Sequence, residues 1–277
     1  MPVMFLFDVD QTLRGPRGEN NAPRIISLIK TLQDQGHFIG LHSDTSTDRL
    51  KRIAADFGIY SGPIIGERSQ VVINGIPDQL TIFNYRLIEG VSYLKKALPV
   101  LINSHFENKA TVHHFFNQPE ELSHAESLIE TGKITIACYY LRHVSLSFFI
   151  FNPEFANNPT EDPLSDHFKY LVERFVNESN LADLKIEISP GDHYIQLMHQ
   201  DTQKRDIIPW IRNHYKVDRI LMFGDSMTDF CSDSSVIQCA VGNAHPEYKA
   251  HCQIVANATY TAGVYECLHE ALTMISH

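Results

Sequence analysis

The chain has 277 residues, a formal net charge of −10 at pH 7 and an isoelectric point near 5.8. Apolar residues make up 43% and charged residues 20%, which is ordinary for a soluble globular protein with a buried core. The acidic balance disfavours nucleic acid as a partner, because phosphate backbones attract basic surfaces, but it leaves room for a small phosphate ester bound at a local cationic site.

The first part of the chain predicts alternating strands and helices. Val3–Phe7 is a continuous apolar run, which is typical of a parallel strand covered on both faces. A loop follows over Arg14–Gly18, and Asn21 is a candidate cap for the first helix. The next predicted elements are a helix with Ile25, Leu28, Ile29 and Leu32 on one face, a strand over 37–41, a helix over 47–57, and short strands over 64–65 and 71–73.

The middle of the chain, from about residue 80 to 198, predicts an α+β module with antiparallel strands. Long aromatic and β-branched stretches occupy 134–140 and 144–151, a polar loop spans 152–166, and a helix is predicted over 167–177. We expect the aromatic side chains of these strands to lie in the core rather than to form a ligand platform: Tyr139, Tyr140, Phe148, Phe149 and Phe151.

After about residue 200 the alternation returns. The predicted elements are a helix over 205–214, strands over 219–223, 236–241 and 253–255, a short helix at Pro246 and a closing helix over 264–275. Pro209 is expected either to lie in the first turn of its helix or to kink it. This order favours a doubly wound parallel α/β core, Rossmann-like, built from residues 1–82 and 199–277. Residues 83–198 then form an inserted α+β cap domain.

The cysteines and the N-terminus bear on location. Five cysteines occur without a CxxC motif, so we expect neither a disulfide framework nor a structural zinc site. The first apolar run is too short for a signal peptide, and no apolar run has the length of a membrane helix. These features favour a cytoplasmic protein that has no membrane partner.

Two acidic clusters each follow an apolar strand. Asp8 and Asp10 come directly after the first strand, where open α/β sheets bind ligands. Residues two apart in an extended chain point to the same side, so both acids can face one pocket. Paired carboxylates repel and need a cation or a shared proton, and Mg²⁺ prefers carboxylate and phosphate oxygens. The alternative is a pair of loop acids with no special role.

The second cluster, Gly224-Asp225-Ser226-Met227-Thr228-Asp229, follows the apolar run Ile220–Phe223. Taken alone it could be a helix cap provided by Asp225 or Ser226. Two acidic clusters at the ends of two apolar strands together favour a functional site.

The motifs resemble those of the haloacid dehalogenase superfamily. Asp8-Val9-Asp10-Gln11-Thr12 is similar to its DxDxT signature, and the segment over 224–229 is similar to its GDxxxD motif. Ser43 stands at the end of the second strand and Lys204 at the start of a helix, as in that family. The segments over 240–244 and 261–264 resemble the closing stretch of the Cof-type branch, whose large α/β (type IIB) cap the insertion resembles.

The resemblance implies an Mg²⁺-dependent phosphatase. Asp8 would be the nucleophile that forms an aspartyl phosphate, and Asp10 the general acid and base. Asp8, the backbone carbonyl of Asp10, and Asp225 would hold Mg²⁺, with Asp229 assisting.

The same resemblance assigns the phosphoryl oxygens to Ser43 and Lys204, while Thr12 would orient the Asp10 loop. The expected substrate is a small phosphorylated metabolite such as a sugar phosphate. Two alternatives remain open: a phosphomutase of the phosphomannomutase kind, and a non-catalytic protein that binds a phosphometabolite. The oligomeric state is not predicted.

The sequence departs from the Cof-type pattern at several positions without losing a catalytic group. Gln11 and Arg205 each replace a glycine, Asp44-Thr45 replaces Gly-Arg, and Thr228 replaces an asparagine. Asp44 adds an acid near the phosphate site, and we expect it to narrow the choice of substrate. The 15 histidines lack a tight ligand spacing such as HExxH, so we do not expect a histidine metal site.

Overall fold

The computed structural model describes residues 2–15, 23–75, 78–181, 183–188 and 193–275. The cap expected at Asn21 and the end of the loop before it lie outside these residues. The helices are α1 Pro23–Asp34, α2 Thr47–Phe57, α3 Tyr85–Phe106, α4 Leu122–Ser127, α5 Pro163–Glu178, α6 Ile208–Tyr215, α7 Pro246–Lys249 and α8 Tyr260–Ile275. The strands are β1 Val3–Phe7, β2 Phe38–His42, β3 Ile64–Gly66, β4 Val71–Asn74, β5 Gln79–Ile82, β6 Thr111–Phe115, β7 Thr135–Tyr139, β8 Leu146–Phe151, β9 Leu184–Ile188, β10 Tyr194–His199, β11 Arg219–Gly224, β12 Val236–Ala240 and β13 Ile254–Val255.

Two compact units make up the chain. The first unit combines Met1–Ile82 with Gln203–His277, and the second unit is the insertion Phe83–Thr202. The first unit contains one sheet in the order β13-β12-β11-β1-β2-β3-β4-β5, parallel from β13 to β3 and antiparallel at the β4–β5 edge. This arrangement confirms the predicted doubly wound α/β fold and adds β5, which the sequence did not reveal.

The central strand β1 explains why its sequence is apolar throughout. Val3, Phe5 and Phe7 pack in one hydrophobic cluster, together with α1, α2 and α8. Met4 and Leu6 pack in a separate cluster with residues of α6. Since alternate residues point to opposite faces, the two clusters lie on the two sides of the sheet, and each face of β1 is buried.

The second unit has a sheet in the order β6-β7-β8-β10-β9. All neighbours are antiparallel except β6 and β7, whose parallel pairing differs from the expected antiparallel module. Of the five aromatic residues expected in its core, Tyr139, Tyr140, Phe148 and Phe149 are fully buried, and Phe151 is partly buried. The interpretation of these residues as core is confirmed.

Two helices begin earlier than predicted. Helix α5 begins at Pro163, because Asp162 accepts a hydrogen bond from the Leu164 N–H and proline suits the first helical position. Helix α8 begins at Tyr260, whose N–H donates to the Asn243 side chain. Gly263 lies inside the helix, where an added Cβ would lie 2.3 Å from the Ala258 carbonyl oxygen.

The five cysteines are free thiols, and Cys252 alone is not fully buried. Within the described part of the chain, none of the helices combines the length and apolarity that crossing a bilayer requires.

Several residues other than glycine have a left-handed backbone. They are Gln11, Glu67, Arg68, Ser69, Asn180, Lys216 and Tyr260. This conformation costs an L-residue roughly 1–2 kcal/mol, and glycine adopts it freely. Gln11 has a φ of 64°. This conformation suits glycine, the residue that the Cof-type pattern has at this position.

Lys216 ends α6 at φ 54°, so Lys216→Gly should stabilise the protein. We expect a gain of roughly 1 kcal/mol in the free energy of unfolding relative to Lys216→Ala, which removes the same side chain but keeps the strained backbone. Urea unfolding of the two variants measures the difference. A glycine variant less stable than the alanine variant would contradict the backbone argument.

Candidate active site

The site lies where β1 and β11 end. These strands pair in parallel with Phe7 opposite Phe223, and the Asp8 N–H donates to the Phe223 carbonyl over 2.9 Å. The chain runs from β1 to β2 on one side and returns to β11 on the other, so a topological switch point lies between β1 and β11. Ligand crevices in α/β sheets form at such points. The two acidic clusters of the sequence thus meet at one edge of the sheet.

Three carboxylates gather there: Asp8, Asp225 and Asp229. One ligand oxygen from each lies within 4.8 Å of the others. Asp8 is 7% exposed and Asp229 is 2% exposed. Gly224 is required for this approach, because a Cβ at that position would lie 2.4 Å from the Asp229 carboxyl group.

Burial and crowding make Asp8 and Asp225 difficult to ionise. Burial raises the pKa of Asp8 well above its usual value, and Asp229 and Asp225 raise it further against the opposing effect of Lys204. Burial and then Asp229 raise the pKa of Asp225 to about 7. Full ionisation of Asp8 and Asp225 would therefore place more negative charge here than the surroundings accommodate easily.

Lys204 is the cation within this group. Its Nζ lies 2.6 Å from Asp8 Oδ1 and 2.6 Å from Asp229 Oδ1, and the residue is 4% exposed. Burial opposes the charged form, but Asp229 and Asp8 raise the pKa of Lys204 well above its usual value. Lys204 opens a short 3-10 helix, Lys204–Ile207, where Gln203 and Asp206 form a capping box. The ammonium is thus buried, charged and shared by two acids.

Asp229 and Thr12 both form hydrogen bonds with Asp225. Asp229 Oδ2 accepts the N–H groups of Asp225 and Ser226 over 3.0 and 3.2 Å, while its Oδ1 accepts from Lys204. Thr12 Oγ1 donates to Asp225 Oδ1 over 3.2 Å, a contact that the sequence did not predict. With both oxygens engaged, Asp229 is suited to orienting Lys204 and the Asp225 loop.

Asp10 has a different environment from Asp8. Its carboxylate is 52% exposed and receives two hydrogen bonds of 2.6 Å from the guanidinium of Arg49, in the first turn of α2. Desolvation opposes the change, but Arg49 lowers the pKa of Asp10 below its usual value. The structure brings the Asp10 side chain to Arg49 and not into the group of three carboxylates.

Arg49 is a residue that the sequence interpretation missed. A cation in the first turn of a helix opposes the helix dipole, so its position there is a signal that another constraint fixes it. That signal is weak, and the bidentate contact with Asp10, on a different element, is evident only in the fold.

Ser43 follows β2 at the same edge of the sheet and is 3% exposed. Its N–H donates to the Ile65 carbonyl over 3.0 Å, and its Oγ accepts the Thr45 N–H over 3.4 Å. Beside it, Asp44 forms an ion pair of 2.9 Å with Arg68. The extra acid at 44 therefore has a cationic partner that the sequence interpretation did not identify.

The donor set fits the expected metal. Asp8, Asp225 and Asp229 offer only oxygen atoms, which hard cations such as Mg²⁺ prefer. Three acids share one lysine, which leaves a negative excess that a divalent ion would neutralise. Asp8 and Asp225 are the suitable ligands, because both oxygens of Asp229 already accept hydrogen bonds.

Known proteins resemble this chain in sequence pattern and in fold. A family model described as haloacid dehalogenase-like hydrolase matches residues 5–268. No curated protein sequence matches the chain. Among solved structures, a haloacid dehalogenase-like hydrolase from Bacteroides thetaiotaomicron is similar at 16% identity, with a TM-score of 0.66 and coverage of 99% of this chain and 100% of that one.

Two further structures share the fold. Protein 0175 of Thermoplasma acidophilum has 18% identity, a TM-score of 0.64 and coverage of 98% of each chain. The sucrose-phosphatase of Synechocystis sp., solved with sucrose and phosphate, has 14% identity, a TM-score of 0.54 and coverage of 98% of each chain.

The raised pKa of Asp225 predicts how stability depends on pH. In the folded, metal-free protein Asp225 keeps its proton up to about pH 7, whereas the unfolded chain releases it near the usual 3.8. The free energy of unfolding should therefore fall as the pH rises through this window. Because Mg²⁺ would replace the proton, it should raise the melting temperature more above this window than at its lower end.

Thermal unfolding is measured with and without Mg²⁺, once at a pH near 3.8 and once at a pH above about 7. Asp225→Asn is the control, since it should make the metal-free protein less sensitive to pH and weaken the effect of Mg²⁺. An equal effect of Mg²⁺ at both pH values would contradict the assignment.

Proposed function

Since the chain belongs to the haloacid dehalogenase-like hydrolase family, we propose that it is an Mg²⁺-dependent phosphatase that hydrolyses a small phosphate monoester. The observation that carries the proposal is the buried group of Asp8, Asp225 and Asp229 around Lys204 at the carboxyl ends of β1 and β11. A phosphoryl group is a dianion and needs cationic partners, which Lys204 and an Mg²⁺ ion held by the carboxylates would provide. A protein that only binds a phosphoryl group would need no carboxylate beside that group.

Asp8 is the proposed nucleophile. Lys204 binds its Oδ1, and among the described residues no hydrogen bond is made to its Oδ2. The carboxylate is thus oriented through one oxygen while the other can attack phosphorus. Attack forms the aspartyl phosphate and breaks the bond between phosphorus and the ester oxygen, as with other carboxylate nucleophiles.

Asp10 is the proposed acid and base. Because Arg49 favours the ionised form, Asp10 must first take up a proton from the solvent to which its carboxyl group is half exposed. It gives that proton to the departing ester oxygen, then takes a proton from the water that hydrolyses the aspartyl phosphate, which restores Asp8. The two hydrogen bonds from Arg49 fix the orientation of the Asp10 carboxylate. An acid restricted to one orientation loses less entropy on reaching its reactive position.

The phosphoryl oxygens are assigned to Lys204 and Ser43. Lys204 offers a buried ammonium, and Ser43 has a hydroxyl whose proton is not used by its contact with the Thr45 N–H. Mg²⁺, held by Asp8, Asp225 and the Asp10 backbone carbonyl, would supply further positive charge to the phosphoryl group.

A sugar phosphate is the proposed class of substrate. Support comes from the shared fold with the sucrose-phosphatase of Synechocystis sp.. The second unit, Phe83–Thr202, contains none of the proposed catalytic side chains, and we assign it a role in substrate choice.

Asp10→Asn should reveal the acid through its dependence on the leaving group. A sugar alkoxide needs a proton to leave, whereas a nitrophenolate does not. The phosphorylation step should therefore slow by about 10²–10⁴-fold with a sugar phosphate and much less with an aryl phosphate. Rapid-mixing kinetics with both substrates measures the first step, and an equal loss for both would exclude Asp10 as the acid.

Arg49→Met should give a smaller loss with the same dependence on the leaving group, because it acts through Asp10. In the double variant Asp10→Asn/Arg49→Met, the second change should add little. Arg52→Met, on an exposed position of the same helix, is the matched control and should leave both rates unchanged.

A further inference from the structure

A run of left-handed residues connects β3 to β4. Glu67, Arg68 and Ser69 have φ values of 49°, 52° and 72°, and none of them is glycine. At the other such positions of the described chain, the left-handed residue stands alone. Strained backbone of this kind persists only where the surrounding structure holds it, and it concentrates at functional sites. We call this segment, Glu67–Ser69, the left-handed turn.

One end of the turn is attached to the loop that follows Ser43. The Glu67 N–H donates to the Thr45 carbonyl over 2.9 Å. Arg68 Nη2 and Nε donate to Asp44 Oδ2 over 2.9 and 3.3 Å. Gly66 permits the close approach, since an added Cβ would lie 2.8 Å from the Thr45 carbonyl oxygen. The turn and the Ser43 loop are therefore held together by backbone and side-chain contacts.

The other end of the turn is attached to Lys204. Ser69 is 2% exposed, and its Oγ donates to the backbone carbonyl of Lys204 over 2.7 Å. The same Oγ lies 2.7 Å from His42 Nε2. Because the single hydroxyl proton of Ser69 is used by the carbonyl, His42 Nε2 must be the donor to Ser69. The hydrogen bonds thus run in one direction, from His42 through Ser69 to Lys204.

The surroundings of the His42 ring agree with its role as the donor to Ser69. His42 is 2% exposed, and its Nδ1 is a buried atom without a hydrogen-bond partner, as expected of the unprotonated nitrogen. Burial, with Lys204 nearby, lowers the pKa of His42 to about 3, so the ring is neutral.

We propose that the left-handed turn is a positioning element that fixes Lys204 relative to Ser43, with Ser69 and His42 as its positioning residues. Neither residue contacts the reacting atoms; both act through the backbone of Lys204. The inference rests on the proposed function, in which Ser43 and Lys204 hold the phosphoryl oxygens. The inference adds that the left-handed turn sets the distance between Ser43 and Lys204, because it contacts both the loop after Ser43 and Lys204.

Ser69→Ala tests the proposal because it removes the bond to Lys204 and the acceptor for His42. Ser69→Gly removes the same hydroxyl and suits the left-handed backbone, so it remains informative if the alanine variant folds poorly. Ser61→Ala is the matched control: Ser61 Oγ also donates to a backbone carbonyl, that of His37, and accepts the Ile39 N–H. Those contacts lie at the opposite end of β2 from Ser43.

The probe is inorganic phosphate, titrated by calorimetry into the full-length protein with Mg²⁺. Both Ser69 variants should bind phosphate roughly tenfold or more weakly, as loss of supporting hydrogen bonds to a ligand residue typically does, and Ser61→Ala should bind as the wild type does. In turnover, the loss should be equal for sugar and aryl phosphates, because the phosphoryl group is common to both. A purely structural role would leave phosphate affinity unchanged in the folded variants.

Substitution of His42 provides a second arm. His42→Gln keeps an N–H that can donate to Ser69, whereas His42→Leu does not. Phosphate affinity should therefore be closer to wild type with glutamine than with leucine.

The outcomes separate the inference from the proposed function. If the wild type hydrolyses phosphate esters while the Ser69 variants bind phosphate as tightly as Ser61→Ala, the positioning role is wrong and the phosphatase stands. If the wild type neither binds phosphate nor hydrolyses any ester with Mg²⁺, the proposed function fails and the inference fails with it.

Discussion

The site depends on one buried cation shared by acids that would otherwise repel. Lys204 lies 2.6 Å from both Asp8 and Asp229, and Asp225 completes a group with only one lysine for three carboxylates. Separating one partner from such a buried pair is costly, since it leaves a charge without compensation. The arrangement therefore fixes Asp8 and retains a demand for positive charge, which a metal ion can meet before a phosphoryl substrate binds.

The sheet makes this arrangement possible. Asp8 and Asp225 are far apart in sequence, but parallel β1 and β11 end side by side. A parallel strand in the centre of a doubly wound sheet must be apolar on both faces, so the polar chemistry begins only where the strand ends. Gly224 then allows Asp229 to approach, and Thr12 links the β1 loop to Asp225.

This logic explains what could be predicted from the sequence. The apolar runs Val3–Phe7 and Ile220–Phe223 indicate buried parallel strands, and the acids after them locate the site. Arg49, Arg68 and Ser69 could not be found in this way, because each contacts a partner on a different element and has no spacing signature. The start of α5 was missed for a local reason, because Asp162 caps the helix inside a segment that resembled a loop.

Asp8 is the residue proposed to accept the phosphoryl group. The most direct measurement is acid-quenched single turnover with a substrate labelled in its phosphoryl group, in the Asp10→Asn background where hydrolysis of the intermediate should be slow. Proteolysis and mass spectrometry then locate the label. We expect a phosphoryl group on the peptide that contains Asp8, reducible by borohydride at that residue and absent from Asp8→Asn. A label on another residue, or full turnover by Asp8→Asn, would contradict it.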